Sequence, residues 1–154
     1  MQAYFEPRRA AGFTLIELMV TLVVATILIA IAVPSYQAQV RKSRRTEARN
    51  AVMDLAAREE RYFSVNNDYS ASAMQLGYGT DDAAITNRPI GGGYYTVTVT
   101  NTEPMPVATP PTRASFIITA TAVGAQVKDA TCLSFTVDDT GTQTSTPSGT
   151  ECWN

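Results

Sequence analysis

The chain contains no histidine. That removes the commonest general base and the commonest metal ligand. Tryptophan occurs once, at Trp153, and cysteine twice, at Cys132 and Cys152. There is no Gly-x-Ser-x-Gly elbow, no phosphate loop, no Cys-x-x-Cys pair and no dinucleotide fingerprint. Gly91-Gly92-Gly93 precedes a strand pattern rather than joining a strand to a helix, so it makes a poor phosphate cradle. Glu59 and Glu60 are neighbours on a helical pattern, so their side chains diverge and form a poor acid/base pair. Asp138 and Asp139 share a loop, but a hard cation needs six or more oxygens and nothing nearby completes a set. The reading is of a non-enzyme: no catalytic residue, no cofactor and no metal is expected.

Long apolar runs are scarce too, with one exception. Phe13 to Val33 reads FTLIELMVTLVVATILIAIAV, roughly 21 residues and enough to cross a bilayer core as a helix. One charge interrupts it, Glu17, and Pro34 closes it. A carboxylate within a span costs a few kcal/mol. Thr14-Leu15-Ile16-Glu17 fits the Thr-x-x-Glu capping box, which would give Glu17 a local task. A cation from another chain is the competing partner, and the residues alone leave the two readings level. The small residues Ala10-Ala11-Gly12 stand before the apolar run, whereas a secretory signal carries its cleavage site after one.

These residues resemble the start of a type IV prepilin. Gly12-Phe13-Thr14-Leu15-Ile16-Glu17-Leu18-Met19-Val20 follows a short leader with Arg8 and Arg9, and the Gly-Phe junction, the glutamate and the apolar run occur together. The resemblance implies a leader over 1–12, cleavage between Gly12 and Phe13 by a prepilin peptidase, and N-methylation of Phe13. It implies that Glu17 neutralises the N-terminal amine of a neighbouring subunit during assembly, and that Pro34 kinks the helix. It further implies a hydrophobic half-helix over 13–34 and a periplasmic head over 35–154. The chain would be stored in the inner membrane and later assembled into an extracellular pilus.

Pro34 removes one backbone donor and crowds the preceding turn. Beyond it, Ser35 to Phe63 has no Gly or Pro and sets Tyr36, Val40, Ala48, Val52, Leu55, Ala56 and Tyr62 on one stripe. A helix from Phe13 to about Phe63 would be about 75 Å long. Its second half is amphipathic and needs a globular partner on one face. Asn66-Asn67-Asp68 is the expected stop.

Charge divides unevenly. Lys/Arg outnumber Asp/Glu by seven to three as far as Asn50, and are outnumbered five to eleven from Ala51 on. Arg41-Lys42-Ser43-Arg44-Arg45, with Arg49, forms a basic cluster just after the apolar run. Three readings stand: a solvated helix face, contact with lipid headgroups or acidic neighbouring heads, and contact with nucleic-acid phosphates. The positive-inside rule, taken alone, would place the head in the cytoplasm. The prepilin motif is far more specific and points the other way.

The remaining pattern is of short strands. Met74-Gln75-Leu76-Gly77-Tyr78 reads as a turn of helix. Tyr94–Thr100, Ser115–Val123 and Cys132–Val137 read as strands, with a fourth at Thr142-Gln143-Thr144. Asp138-Asp139-Thr140-Gly141 is a tight turn and Thr109-Pro110-Pro111-Thr112 a loop. Trp153 is expected to pack on the sheet. Arg61-Tyr62-Phe63, Asn66-Asn67-Asp68-Tyr69 and Leu76-Gly77-Tyr78 resemble the helix-to-sheet region of PilE-type minor pilins. The cysteines allow a disulfide or two buried thiols; the oxidising compartment that the resemblance implies favours a Cys132–Cys152 bond.

The expected fold is therefore α+β, a pilin fold: a long kinked helix on an antiparallel sheet of about four strands. The expected role is a structural subunit of a type IV pilus, serving motility, adhesion or DNA uptake. Its partners would be other pilin subunits, prepilin peptidase, the inner-membrane assembly machinery and the membrane itself. A type II secretion pseudopilin shares the leader, Glu17 and the helix. A DNA-binding minor pilin is the other alternative, and the acidic head counts against it.

Overall fold

A run of good helix formers, broken only by Pro34, gives one helix, α1, over Leu15–Asn66. The computed structural model describes residues 12–102 and 113–153. Arg8, Arg9 and the loop Thr109-Pro110-Pro111-Thr112 lie outside the described residues. The chain divides into two compact units, one as far as Gln39 and one from Val40 onward.

In the first unit the helix is apolar on every side and buries nothing. Phe13, Leu15, Leu22 and Ile31 are each at least two-thirds exposed, and Tyr36, which shares the apolar stripe in sequence, is 72% exposed.

In the second unit α1 presents Ala48, Val52, Leu55 and Ala56 to the core. The three- and four-residue spacing puts them on one face. The stripe holds one acid as well: Glu59, one turn beyond Leu55, is fully buried. The helix stops where the asparagines predict. Asn67 takes a left-handed φ of 57°, which Asn tolerates, and its N–H still reaches the Phe63 carbonyl at 2.8 Å.

Five strands form one antiparallel sheet in sequential order: β1 Arg88–Ile90, β2 Tyr95–Thr102, β3 Ser115–Ala122, β4 Ser134–Asp138 and β5 Gln143–Thr146. Alternation fixes the register. Tyr95, Val97 and Val99 of β2, Phe116, Ile118 and Ala120 of β3, and Phe135 and Val137 of β4 point to the core with the helix stripe. Thr96, Thr98, Thr119 and Thr136 occupy the other face. The sequence pattern missed β1, whose Pro89 argues against a central strand. It is an edge strand of three residues, where a missing N–H is tolerated. The β1–β2 turn needs Gly91: its φ is 47°, and a Cβ there would lie 2.8 Å from the Glu47 carboxylate. The β4–β5 turn is closed by Asp138, which accepts from the Thr140 hydroxyl at 2.5 Å and the Thr142 N–H at 2.9 Å. These bonds hold its carboxyl below the usual range.

Met74 to Tyr78 makes a single helical turn and nothing longer. The Leu76 N–H reaches the Ser72 carbonyl at 3.1 Å, and Gly77, with a φ of 63°, ends the turn: its N–H bonds the Met74 carbonyl at 3.0 Å and the Tyr78 N–H bonds the Ala73 carbonyl at 2.7 Å. The Arg58 guanidinium donates to the Leu76 and Gly77 carbonyls at 3.0 and 2.7 Å. Carbonyls in a last turn have no helical donor, and here a cation serves them.

A polar network joins α1 to the far end of the sheet. Arg45 grips Asp129 with two donors, Nε to Oδ2 at 2.6 Å and Nη2 to Oδ1 at 2.5 Å. Asp129 is 4% exposed. The Gln126 amide donates to the same carboxylate at 3.0 Å and to the Tyr95 hydroxyl at 3.3 Å. That hydroxyl in turn donates to the Cys132 carbonyl at 3.1 Å. Removing one partner of such a pair strands the other. Asp129→Ala is therefore expected to lower the unfolding free energy by about 2–3 kcal/mol. Urea unfolding read by circular dichroism checks this; an unchanged midpoint would make the pair ornamental.

Candidate assembly interface

The first unit brings together Gly12, Phe13, Glu17 and Pro34 on one apolar rod. Thr14 caps the start of α1, its hydroxyl oxygen accepting the Glu17 N–H at 3.3 Å. The reciprocal half of the capping box is absent among the described residues: no hydrogen bond or ion pair holds the Glu17 carboxylate there. Capping therefore uses the Glu17 backbone and leaves its charge unmatched. The other polar groups look after themselves. The Thr21 and Thr26 hydroxyls donate to the Leu18 and Leu22 carbonyls at 3.0 and 2.8 Å. A rod so made suits an apolar surrounding, since a helix bonds its backbone groups within itself, the turn before Pro34 excepted. Pro34 lies inside α1, where it leaves one carbonyl without its usual donor.

The basic cluster in the second unit is partly consumed by the head itself. Arg44 stacks over the Tyr94 ring at 3.3 Å and Arg45 is held by Asp129. A cation over a ring is attracted by its quadrupole. Arg49 donates to the Thr46 hydroxyl at 3.3 Å. Lys42 stays exposed. The sequence could offer only outward partners for these cations, because Tyr94 and Asp129 are about 50 and 84 residues away.

Cys132 and Cys152 form a disulfide across 20 residues with Cα atoms 5.7 Å apart. It fastens the segment after β5 to the start of β4. Trp153 packs edge-on against Phe135 at 5.6 Å, and its indole N–H donates to the Thr144 carbonyl at 2.8 Å. An open depression of about 490 Å³ lies over this region, lined by Ala130, Thr131, Pro147, Ser148, Gly149 and Glu151. Among the described residues no three His, Cys, Asp or Glu side chains converge as a metal site would need.

Two family models match. One, described as type IV minor pilin ComP, DNA uptake sequence receptor, covers residues 34–136. The other, the prokaryotic N-terminal methylation motif, covers residues 7–33. The chain is also 36% identical over 74 residues to the type IV major pilin protein PilA of Myxococcus xanthus (strain DK1622). That alignment takes in 48% of this chain and 33% of the relative, so it spans about a third of the relative's length.

The disulfide closes a loop whose constraint is worth about 3 kcal/mol in the chain-entropy model. Reduction is expected to lower the unfolding midpoint accordingly and to open the segment around Pro147–Glu151 to proteolysis ahead of the strands. Limited digestion with and without reductant checks this; identical cleavage patterns would mean that packing around Trp153 holds the segment unaided.

Proposed function

The chain belongs to the type IV minor pilins of the ComP family, and from that premise we propose that it is a structural subunit of a type IV pilus. It is made as a prepilin, held in the inner membrane with its head in the periplasm, and cut between Gly12 and Phe13. The new N-terminus at Phe13 is methylated. The family is structural, so the work lies in assembly rather than in catalysis. Prepilin peptidase and the inner-membrane assembly machinery are its transient partners, and other pilin subunits are its lasting ones.

The observation that carries this reading is the rod: apolar on all sides, internally hydrogen-bonded, and bearing one ionisable group without a partner among the described residues. Lipid already solvates such a rod, so moving from bilayer to filament gains little from apolar burial. Register must come from something directional. A carboxylate in an apolar bundle is costly until a cation meets it, and the free amine at Phe13 of a neighbouring subunit is such a cation. Pairing Glu17 with it satisfies both charges and sets the axial step between subunits.

Mass spectrometry of the mature chain is expected to give an N-terminal peptide that begins at Phe13 and is heavier by one methyl group. Glu17→Ala is expected to insert into the membrane normally and to fall at least tenfold in sheared pili. Normal incorporation of that variant would reduce Glu17 to a helix-start residue. Co-purification with secretion machinery instead of pili would favour the type II pseudopilin.

A second reading, DNA capture, is favoured by the description of the matched family. Four of the head's arginines are held in ion pairs: Arg58 with Asp54, Arg88 with Asp81, Arg113 with Asp139 and Arg45 with Asp129. Fewer phosphates could then be neutralised, so affinity would depend less on salt and more on base sequence. A gel shift of the full chain in detergent, with duplex from its own genome against foreign duplex, tests this. Equal retardation of both would restrict the protein to its filament role.

A further inference from the structure

Among the described residues Glu59 is the one buried acid that neither the assembly reading nor the Arg45 network uses. Its side chain is fully buried. Oε2 accepts the Ser70 N–H at 3.0 Å, which ties the loop after α1 back to the helix. Oε1 has no partner. The Asn101 side chain, reaching in from β2, presents its amide to the same carboxyl, and its own carbonyl oxygen is buried without a partner. Oε1 and the Asn101 oxygen are thus each buried without a donor among the described residues, an arrangement that buried groups rarely tolerate. A proton on Glu59 removes the buried charge.

The surrounding charges favour that proton. On its own helix Glu60 is an anion, held by the Tyr69 hydroxyl at 3.2 Å. From the loop the contribution is Asp68, also an anion. From β2 it is Asn101, whose side-chain bond, like that of the Ser70 N–H, favours the ionised carboxyl. The cations nearby are committed elsewhere: Arg58 to Asp54 and the Leu76 and Gly77 carbonyls, Arg113 to Asp139. Burial outweighs the Ser70 and Asn101 bonds and, with smaller help from the anions, pushes the Glu59 carboxyl from 4.5 up to about 7.

We propose that the Glu59–Ser70–Asn101 junction is a proton-operated clasp that holds the loop after α1 against the helix and β2, and that releases the loop when the proton leaves. The loop continues from Ser70 through the Ser72 N–H, bonded to the Ser70 hydroxyl, and the Ala73 N–H, bonded to the Ala83 carbonyl. It then forms one wall of a depression of about 340 Å³ with Arg58, Tyr62 and Val65 opposite Met74 and Leu76. The clasp therefore governs the shape of that surface. An acid that is harder to ionise in the folded state contributes fully below pH 4.5, and its contribution is lost as the pH rises through about 7.

The test is hydrogen exchange on the full chain in lipid nanodiscs, corrected for intrinsic exchange. Protection of the amides from Tyr69 to Ala73 is expected to fall roughly tenfold or more between about pH 5.5 and about pH 8.5. In Glu59→Gln, which keeps the shape and cannot ionise, it is expected to stay flat. The same fall in the variant would overturn the proposal. If the variant fails to fold, carboxyl ¹³C NMR of the wild-type chain decides. One glutamate titrating far above the others, in step with the Ser70 amide, supports the clasp. A Glu59 already ionised at pH 6, its oxygens served by a buried water, refutes it.

Discussion

A backbone that leaves water must satisfy its own hydrogen bonds, and that constraint governs this molecule. It accounts for a first unit that is all helix, with threonine hydroxyls turned back onto carbonyls. It also isolates Glu17, since a helix can bond its own amides but cannot supply a counter-ion. The rod is thereby indifferent to which apolar neighbour surrounds it, lipid or another rod. Its single charge is not indifferent, and in the assembly proposed above that asymmetry would separate storage from assembly.

The head meets the same constraint by other means. Its helix face is clothed by a sheet whose alternating side chains fill one core with the stripe from Ala48 to Ala56. Polar groups drawn into that core are mostly served in chains, as from Arg45 through Asp129, Gln126 and Tyr95 to the Cys132 carbonyl. The edges are guarded as well. Pro89 interrupts the short outer strand, and Pro147 follows directly on β5, so neither edge offers a long free ladder to another chain.

Much of this was written locally. The helix limits followed from periodicity and from Asn67, and β2 to β5 followed from alternation between turn residues. The Gly12–Glu17 motif marked the rod because its residues are contiguous. What escaped depends on distance in the chain. Arg45 reads as a surface cation until Asp129, 84 residues on, is folded against it. Glu59 reads as one of two adjacent acids whose side chains diverge, and the partners that meet it inside, Ser70 and Asn101, come from later in the chain. β1 was hidden because proline lowers strand propensity, and only pairing with β2 reveals that the position is an edge. The single turn at Met74–Tyr78 was legible from Gly77, but the Arg58 guanidinium on its last carbonyls comes from another element.

The order of the sheet has a kinetic meaning. Every strand lies beside the one made just before it. A polypeptide threaded across a bilayer in the order of its synthesis would find each new partner already delivered, and no strand would wait exposed for a later arrival. Such topologies close short loops first and keep sticky intermediates brief. For a protein that folds beside a crowded membrane, a serial meander is a safeguard against pairing with the wrong molecule.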